Sequence, residues 1–306
     1  MAKLAKIAIS LLLVFTSSGF CLAQNIRLAF ISGSDVTPFK EVFEGFHSAI
    51  EQEKDIVLKN FSLNRHEIQD VKGMNPNVIV TVGSKATEAI VNNFPQTPIV
   101  SCLVIPLSKY LDRGNVTGIY FSPAPKEQLA YLGKFLPQTK VVGVLYSSDV
   151  GKAAIDHFRN AAVPLGFRLF SRQVEIPRDL PRALRMVNRE ADVLLGLPDT
   201  MIYSPHTARH ILLASFRNRV PLIGISSHWV KAGALYCLQC DYRALGKQCA
   251  SMSLRLKSGE KISSVKPEHP RVFKPVINYR TANMLDIKIT PYVATDKVNN
   301  GKGNSE

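Results

Sequence analysis

The chain has 306 residues, 46 % of them hydrophobic and 20 % charged. That is enough apolar material for about two domain cores, and it excludes a wholly disordered or fibrous chain. The formal charge is +14, but Lys and Arg are scattered, with no dense basic tract interleaved with aromatics, so the basic surface reads as solvated and no nucleic-acid partner is expected.

Residues 1–23 read as a secretory signal peptide. Lys3 and Lys6 precede an apolar run over 7–15, and Cys21-Leu22-Ala23 puts small residues at the −3 and −1 positions of a cleavage site. Loss of Lys3 and Lys6 leaves a mature charge of +12. Bulky Phe20 argues against a lipoprotein cut before Cys21. Thr16, Ser17, Ser18 and Gly19 break up a stretch that a membrane anchor would need apolar over about 20 residues. No other segment reads as a membrane span. The expected location is therefore periplasmic.

Strand-like and helical patterns then alternate. Residues 25–31 read as a strand, 32–35 as a turn, and 37–53 as a helix with Phe39, Val42, Phe43, Phe46, Ala49 and Ile50 at helical spacing. Residues 55–63 and 77–82 are strands, 84–94 a helix capped at Gly83 or Ser84, and 98–105 a buried strand. Residues 116–121 are a strand or crossover, followed by a helix over 125–135. Next come strand 141–146, helix 150–165, strand 168–176, helix 180–189 and strand 191–197. Helix 205–218, strand 220–225 and a short helix over 228–231 follow. Strand 234–240 precedes Asp241, which is placed to cap a helix over 242–257. The tail, 294–306, has the composition of a disordered segment.

Near-continuous apolar strands alternating with helices mean parallel sheets covered on both faces. About ten strands are too many for one sheet of this length. The expected fold is therefore α/β, with two doubly wound parallel-sheet lobes split near Gly118. In such folds ligands lie beyond the carboxyl ends of strands. Those positions hold Ser34, Ser84, Ser147, Asp199, Thr200, Ser226 and Ser227. Hydroxyls beside helix N-terminal N–H groups suit a carboxylate or other anion, although plain helix capping uses the same residues. Phe39 opens the first helix and offers a ring to the same region, or to the core.

Enzyme signatures are missing. Gly224-Ile225-Ser226-Ser227-His228 lacks the second glycine of a nucleophile elbow, and neither a phosphate loop nor a G-x-G-x-x-G is present. His206 and His210 lie one helical turn apart, a weak metal signal that an exposed helix face explains as well. Trp229 reads as core. Cys102, Cys237, Cys240 and Cys249 follow the signal; Cys237-x-x-Cys240 lies in a strand, where residues three apart face opposite ways. Buried free thiols are expected, with a Cys240–Cys249 bond as the alternative. No catalysis, cofactor or metal is expected.

An ordered set of short motifs carries a resemblance: Asn115-Val116-Thr117-Gly118, Leu136-Pro137 before Lys140–Tyr146, Pro198-Asp199-Thr200, Val230–Leu235, Asp241-Tyr242 with Leu245-Gly246-Lys247-Gln248, and Val276–Ala282. Together they resemble the bacterial ABC-transporter substrate-binding proteins of the type I periplasmic-binding fold, a group with tryptophan/tyrosine-binding members. The resemblance implies a Venus-flytrap: lobe 1 over 25–118 plus 242–262, lobe 2 over 119–241 plus 263–290, and a hinge near Gly118 and Asp241. It implies a small-molecule ligand, an amino-acid-like compound among the candidates, held by Ser34, Ser84, Ser147, Asp199 and Ser226-Ser227, with Asp199 meeting any amino group. It implies a monomer that delivers its ligand to an inner-membrane ABC permease. A periplasmic sensor module presenting its bound state to a membrane signalling protein is the alternative on the same fold. The chain departs from the family in having Ile105-Pro106 without an Asp after the fourth strand, no Asn in the loop after Tyr146, and no Asp-rich stretch at 226–229. The resemblance therefore leaves open a ligand other than an aromatic amino acid.

Overall fold

The computed structural model describes residues 25–63 and 65–289. The signal peptide and the tail expected from sequence lie outside the described residues.

The first sheet has five parallel strands in the order β2-β1-β3-β4-β5. These are β1 (Ile26–Ser32), β2 (Ile56–Ser62), β3 (Val78–Val82), β4 (Ile99–Cys102) and β5 (Val116–Gly118). Alternation along each strand divides the core. Leu28, Phe30, Val80 and Val100 face one side, with helix α1 (Thr37–Ile50). Ala29, Ile31, Ile79 and Ile99 face the other. That second side is covered by α2 (Arg65–Met74), α3 (Ser84–Asn93) and α4 (Ser108–Leu111). Neither α2 nor α4 is legible in the sequence. Helix α2 buries Val71 and Met74 within an otherwise polar segment, and α4 is a single turn.

The second sheet has six strands in the order β11-β10-β9-β8-β6-β7. They are β6 (Val141–Tyr146), β7 (Arg168–Gln173), β8 (Val193–Leu195), β9 (Leu222–Ile223), β10 (Tyr236–Cys240) and β11 (Phe273–Ile277). All pairs are parallel except β10 with β11. Pro275 lies within β11, which occupies the sheet edge, where a missing N–H is tolerated; that proline hid the strand from pattern reading. One face packs α5 (Pro125–Phe135), α6 (Gly151–Ala162) and α11 (Tyr279–Met284). The other packs α7 (Leu180–Glu190), α8 (Pro205–Asn218) and α9 (Ser227–Ala232). Trp229 is buried there, edge-on to Tyr203 with centroids 5.5 Å apart. All four cysteines following the signal are free and buried, so the Cys240–Cys249 bond is not formed: Cys240 donates instead to the Phe121 carbonyl at 3.4 Å. No helix among the described residues is long and apolar enough to cross a membrane.

The chain leaves the first sheet after β5, builds β6 to β10, and returns as α10 (Tyr242–Lys257). Asp241 caps this helix by accepting the Ala244 N–H at 2.8 Å. Helix α10 packs on α1, with Leu245, Cys249 and Met252 in the first sheet's core. The two helices cross at reciprocal glycines. A Cβ on Gly45 would lie 2.0 Å from the Arg243 carbonyl oxygen, and one on Gly246 would lie 2.0 Å from that of Val42. Backbone therefore touches backbone, and no other residue fits at either position. At the far end of α10, Lys257 Nζ reaches Glu53 and Asp55, each at 2.7 Å. The Lys257 hydrogen bond holds the Asp55 carboxyl below its ordinary value of 3.8.

Gly246→Ala is expected to destabilise the α1–α10 unit by about 3 kcal/mol through overpacking against main chain. Urea unfolding followed by far-UV circular dichroism should show an early transition, while the Trp229 fluorescence transition, which reports the second sheet, stays in place. Because Asp55 is depressed, the Lys257 clasp stabilises above pH 3.8 and is lost as pH falls through the lowered Asp55 value. The stability gap between the wild type and Lys257→Met is therefore expected near neutral pH and should close in acid.

Candidate functional site

Three segments join the two sheets: the exit from β5, the step from β10 into α10, and the return from α10 to β11. The first and third lie side by side. The Tyr120 N–H donates to the Glu268 carbonyl at 2.8 Å, and the Glu268 N–H to that of Gly118 at 3.0 Å. Thr117 Oγ1 donates to the Val265 carbonyl at 2.6 Å. Gln248 of α10 binds the third segment near its entry to β11: its Nε2 donates to Glu268 Oε2 at 2.7 Å and to the His269 carbonyl at 3.0 Å, and its Oε1 accepts the Arg271 N–H at 3.3 Å. The second segment is tied in by the Asp241 N–H, which donates to the Val272 carbonyl at 3.0 Å. The His269 ring stacks on Tyr120 with centroids 4.6 Å apart, and its Nδ1 lies 2.9 Å from the Ser122 carbonyl.

In front of these segments lies a cleft of about 450 Å³, a size that suits a small organic molecule. The first sheet contributes Val104, Pro106, Leu107 and Ser108 from beyond β4. The second contributes Val150, Ala153, Ala154, His157 and Phe158 around the start of α6, with Leu197 and Pro198 after β8. Tyr120, Phe121 and His269 line it from the joining segments. No Asp, Glu, Lys or Arg lines it among the described residues. Burial raises the Tyr120 phenol above its ordinary value, so it stays protonated. The surface is thus largely apolar and aromatic, with a few hydrogen-bonding groups. Among the described residues no group of three or more His, Cys, Asp or Glu side chains is placed to hold a metal ion.

None of the eight residues singled out from sequence is on the wall of this cleft. Ser34 and Thr200 are exposed on loops after β1 and β8. Phe39 lies across Gly83, whose φ of +90° and lack of a Cβ let the ring sit on the main chain at the start of α3. Ser84 Oγ does not cap α3; it accepts the Ile105 N–H at 3.2 Å and so holds the loop that carries Pro106. Ser226 sits at the N-cap of α9 without a side-chain capping bond. The Ser227 N–H donates to Gln239 Oε1 at 3.2 Å.

Ser147 and Asp199 form a pair. Asp199 is 1 % exposed, and its Oδ2 accepts the Ser147 N–H at 2.7 Å. Its Oδ1 accepts the N–H groups of Met201 and Ile202 at 3.0 and 3.1 Å. Both oxygens are engaged, which differs from the expected contact with a ligand amine: the carboxylate ties the loop after β6 to the loop after β8. Tyr120, Phe121, His157, Phe158 and His269 escaped the sequence reading. The proline-flanked run after Gly118 and the pair His157-Phe158, two turns into the helix after β6, are the signals that mark them.

Asp199→Ala should cost about 3 kcal/mol, because it leaves three buried or half-buried N–H groups without their charged acceptor. Urea unfolding read by Trp229 fluorescence tests this. An unchanged midpoint would show that the carboxylate does not hold the loops.

A family model described as "ABC transporter substrate binding protein" matches residues 52–298. A search of curated proteins finds no match. Among solved structures, the chain is similar to the ligand-free, open structure of a substrate-binding protein with adhesive properties from Clostridium difficile (17 % identity, 89 % of this chain and 97 % of that one, TM-score 0.64). It is also similar to an ABC domain from Streptococcus pneumoniae in complex with L-Trp (16 %, 87 % and 96 %, 0.60), and to a conserved domain protein from Vibrio cholerae (21 %, 87 % and 96 %, 0.59). At these identities the likeness is one of fold, the two-lobed type I periplasmic-binding architecture. With the family model covering most of its length, the chain belongs to the ABC transporter substrate-binding protein family.

Proposed function

We propose that this protein is an exported, periplasmic, monomeric receptor that captures a small molecule between its two lobes, delivers it to an inner-membrane ABC permease and catalyses nothing. The observation that carries this reading is the aromatic cleft, free of Asp, Glu, Lys and Arg among the described residues, lined from both sheets and from the segments that join them. We take the lobes as 25–118 plus 242–262 and 119–241 plus 263–290, because α10 shares the core of the first sheet while β11 pairs in the second. The joining segments act as the hinge, and a ligand that touches both lobes favours the closed state by its differential affinity.

The ligand in this reading has an apolar, ring-like part against Tyr120, Phe121, Phe158 and Pro198. An amino-acid-like compound fits that description; the similar pneumococcal structure holds L-Trp. Its polar part meets the strand-end hydroxyls of Ser34, Ser84, Ser147 and Ser226-Ser227 as the lobes approach. Asp199 acts by tying the Ser147 loop to the loop after β8.

Thermal-shift screening of the purified protein against amino acids, nucleosides, small peptides and organic acids tests the proposal. A ligand present at 100 times its Kd stabilises by about 2.7 kcal/mol, a shift of several degrees. Ala154→Phe, which fills the cleft from α6, should abolish the shift while leaving the unliganded melting temperature within a degree or two. Retained binding would remove the cleft as the site. Turnover of an ester or phosphate substrate would overturn the non-enzyme reading.

A further inference from the structure

On the second sheet, α7 and α8 lie side by side on the face opposite α6. Helix α7 turns Leu180, Ala183, Leu184 and Val187 into the core. Its other side carries Arg182, Arg185 and Arg189, all exposed, at spacings of three and four residues. Arg178, exposed in the turn just before the helix, stands one turn ahead of them. Helix α8 buries Ile211, Leu212 and Ser215 and leaves Arg209 and Arg217 exposed. The six arginines thus form two rows on one surface, brought together by helical period and packing. Met186 and Leu213 are exposed among them, at 36 % and 41 %.

Stability of the fold does not account for this pattern. Like charges three and four residues apart on a helix repel. Arg178 and Arg182 also sit at the N-terminus of α7, where the helix dipole disfavours cations. Carboxylates that could relieve the repulsion are few: over 177–190 and α8 there are only Asp179 and Glu190, and Glu190 is turned to Arg168 at 3.8 Å. None of the six arginines has an ion pair among the described residues, whereas Arg159, Arg243, Arg255 and Arg271 elsewhere each meet a carboxylate. A guanidinium is a planar fork of donors that matches phosphate oxygens. Two parallel rows of them form a plane of donors, which suits a plane of phosphates. The exposed Met186 and Leu213 fit the same partner, because the headgroup layer of a bilayer takes up apolar side chains beside its phosphates.

We propose that the α7–α8 face is a membrane-docking surface, which seats the protein on a bilayer that carries anionic phospholipid. The arginines meet the lipid phosphates, and Met186 and Leu213 enter the headgroup layer. The cleft wall formed by α6 lies on the other side of the sheet. The proposal is therefore independent of what the cleft binds.

Co-sedimentation of the purified mature protein with vesicles tests this, using phosphatidylcholine alone and phosphatidylcholine mixed with phosphatidylglycerol. The wild type should pellet with the anionic vesicles only, and raising the salt from about 0.05 M to about 0.5 M should release it. The triple variant Arg182→Gln, Arg185→Gln, Arg189→Gln should bind about a hundred-fold more weakly, at about five-fold per arginine near an anionic surface, and should melt no lower than the wild type. Met186→Ser with Leu213→Ser should weaken binding several-fold at unchanged charge. Lys59→Gln, Lys72→Gln and Lys126→Gln together remove the same charge from exposed positions outside the face and should leave binding within about two-fold, since distant charges are screened. An equal loss in the lysine variant overturns the proposal, because net charge alone would then draw the protein to the vesicles. Unchanged binding by the arginine variant, with a lower melting temperature, assigns the arginines to the fold and overturns it too. Full binding by the serine variant, or release of the wild type by millimolar glycerol phosphate, gives the face to a soluble anion instead of a bilayer. Failure to pellet with either vesicle ends the proposal outright.

Discussion

Helix α10 approaches α1 so closely that main chain meets main chain at Gly45 and Gly246. That contact joins a segment more than a hundred residues after β5 to the core of the first sheet. Its consequences run through the rest of the molecule. Because α10 belongs to the first sheet and β11 to the second, the chain has to cross between them three times. Because the first and third crossings emerge side by side, Tyr120 and Glu268 exchange main-chain hydrogen bonds with one another's segment, and Gln248, two residues after Gly246, reaches the third crossing directly. The segments that line the back of the cleft are thus positioned by a helix crossing on the far side of the first sheet.

The electrostatics of the surface and of the cleft are opposed. The chain as a whole is strongly basic, yet no Asp, Glu, Lys or Arg lines the cleft among the described residues. A field spread over the surface raises the encounter rate for anions, but affinity inside a low-dielectric cleft depends on shape and on hydrogen bonds. Asp199, next to Pro198 on the cleft wall, illustrates the difference. Its oxygens accept three main-chain N–H groups, so it ties together the loops after β6 and β8.

Most of the helices and strands were legible in the sequence, because their apolar residues recur at helical spacing or fill buried parallel strands. Helices α5, α8 and α10 match the expected residues at both ends, where Pro125, Pro205 and the Asp241 cap mark a start in local chemistry. Helix α2 was missed because it offers too few apolar residues to show a period, and β11 because Pro275 is acceptable only at an edge, and being at an edge is a property of the sheet. The strand-end rule points to hydroxyl residues, and the residues on the cleft wall are a different set. The wall is made of whatever the adjoining loops and the first turns of α6 turn inward.

By itself the sequence determined a two-sheet α/β chain with strand-end loops suited to binding, since hydrophobic period and turn chemistry are local properties. It also carried, through its motifs, the family. Tertiary structure alone decided that Asp199 faces inward to main-chain N–H groups, that Tyr120 stacks on His269 across about 150 residues of chain, and that the Tyr236 hydroxyl is buried with no partner among the described residues. Those outcomes depend on which groups are brought within a few ångströms by packing, and hydrogen-bond satisfaction of a buried group is set by its neighbours in space, which residue spacing along the chain does not encode.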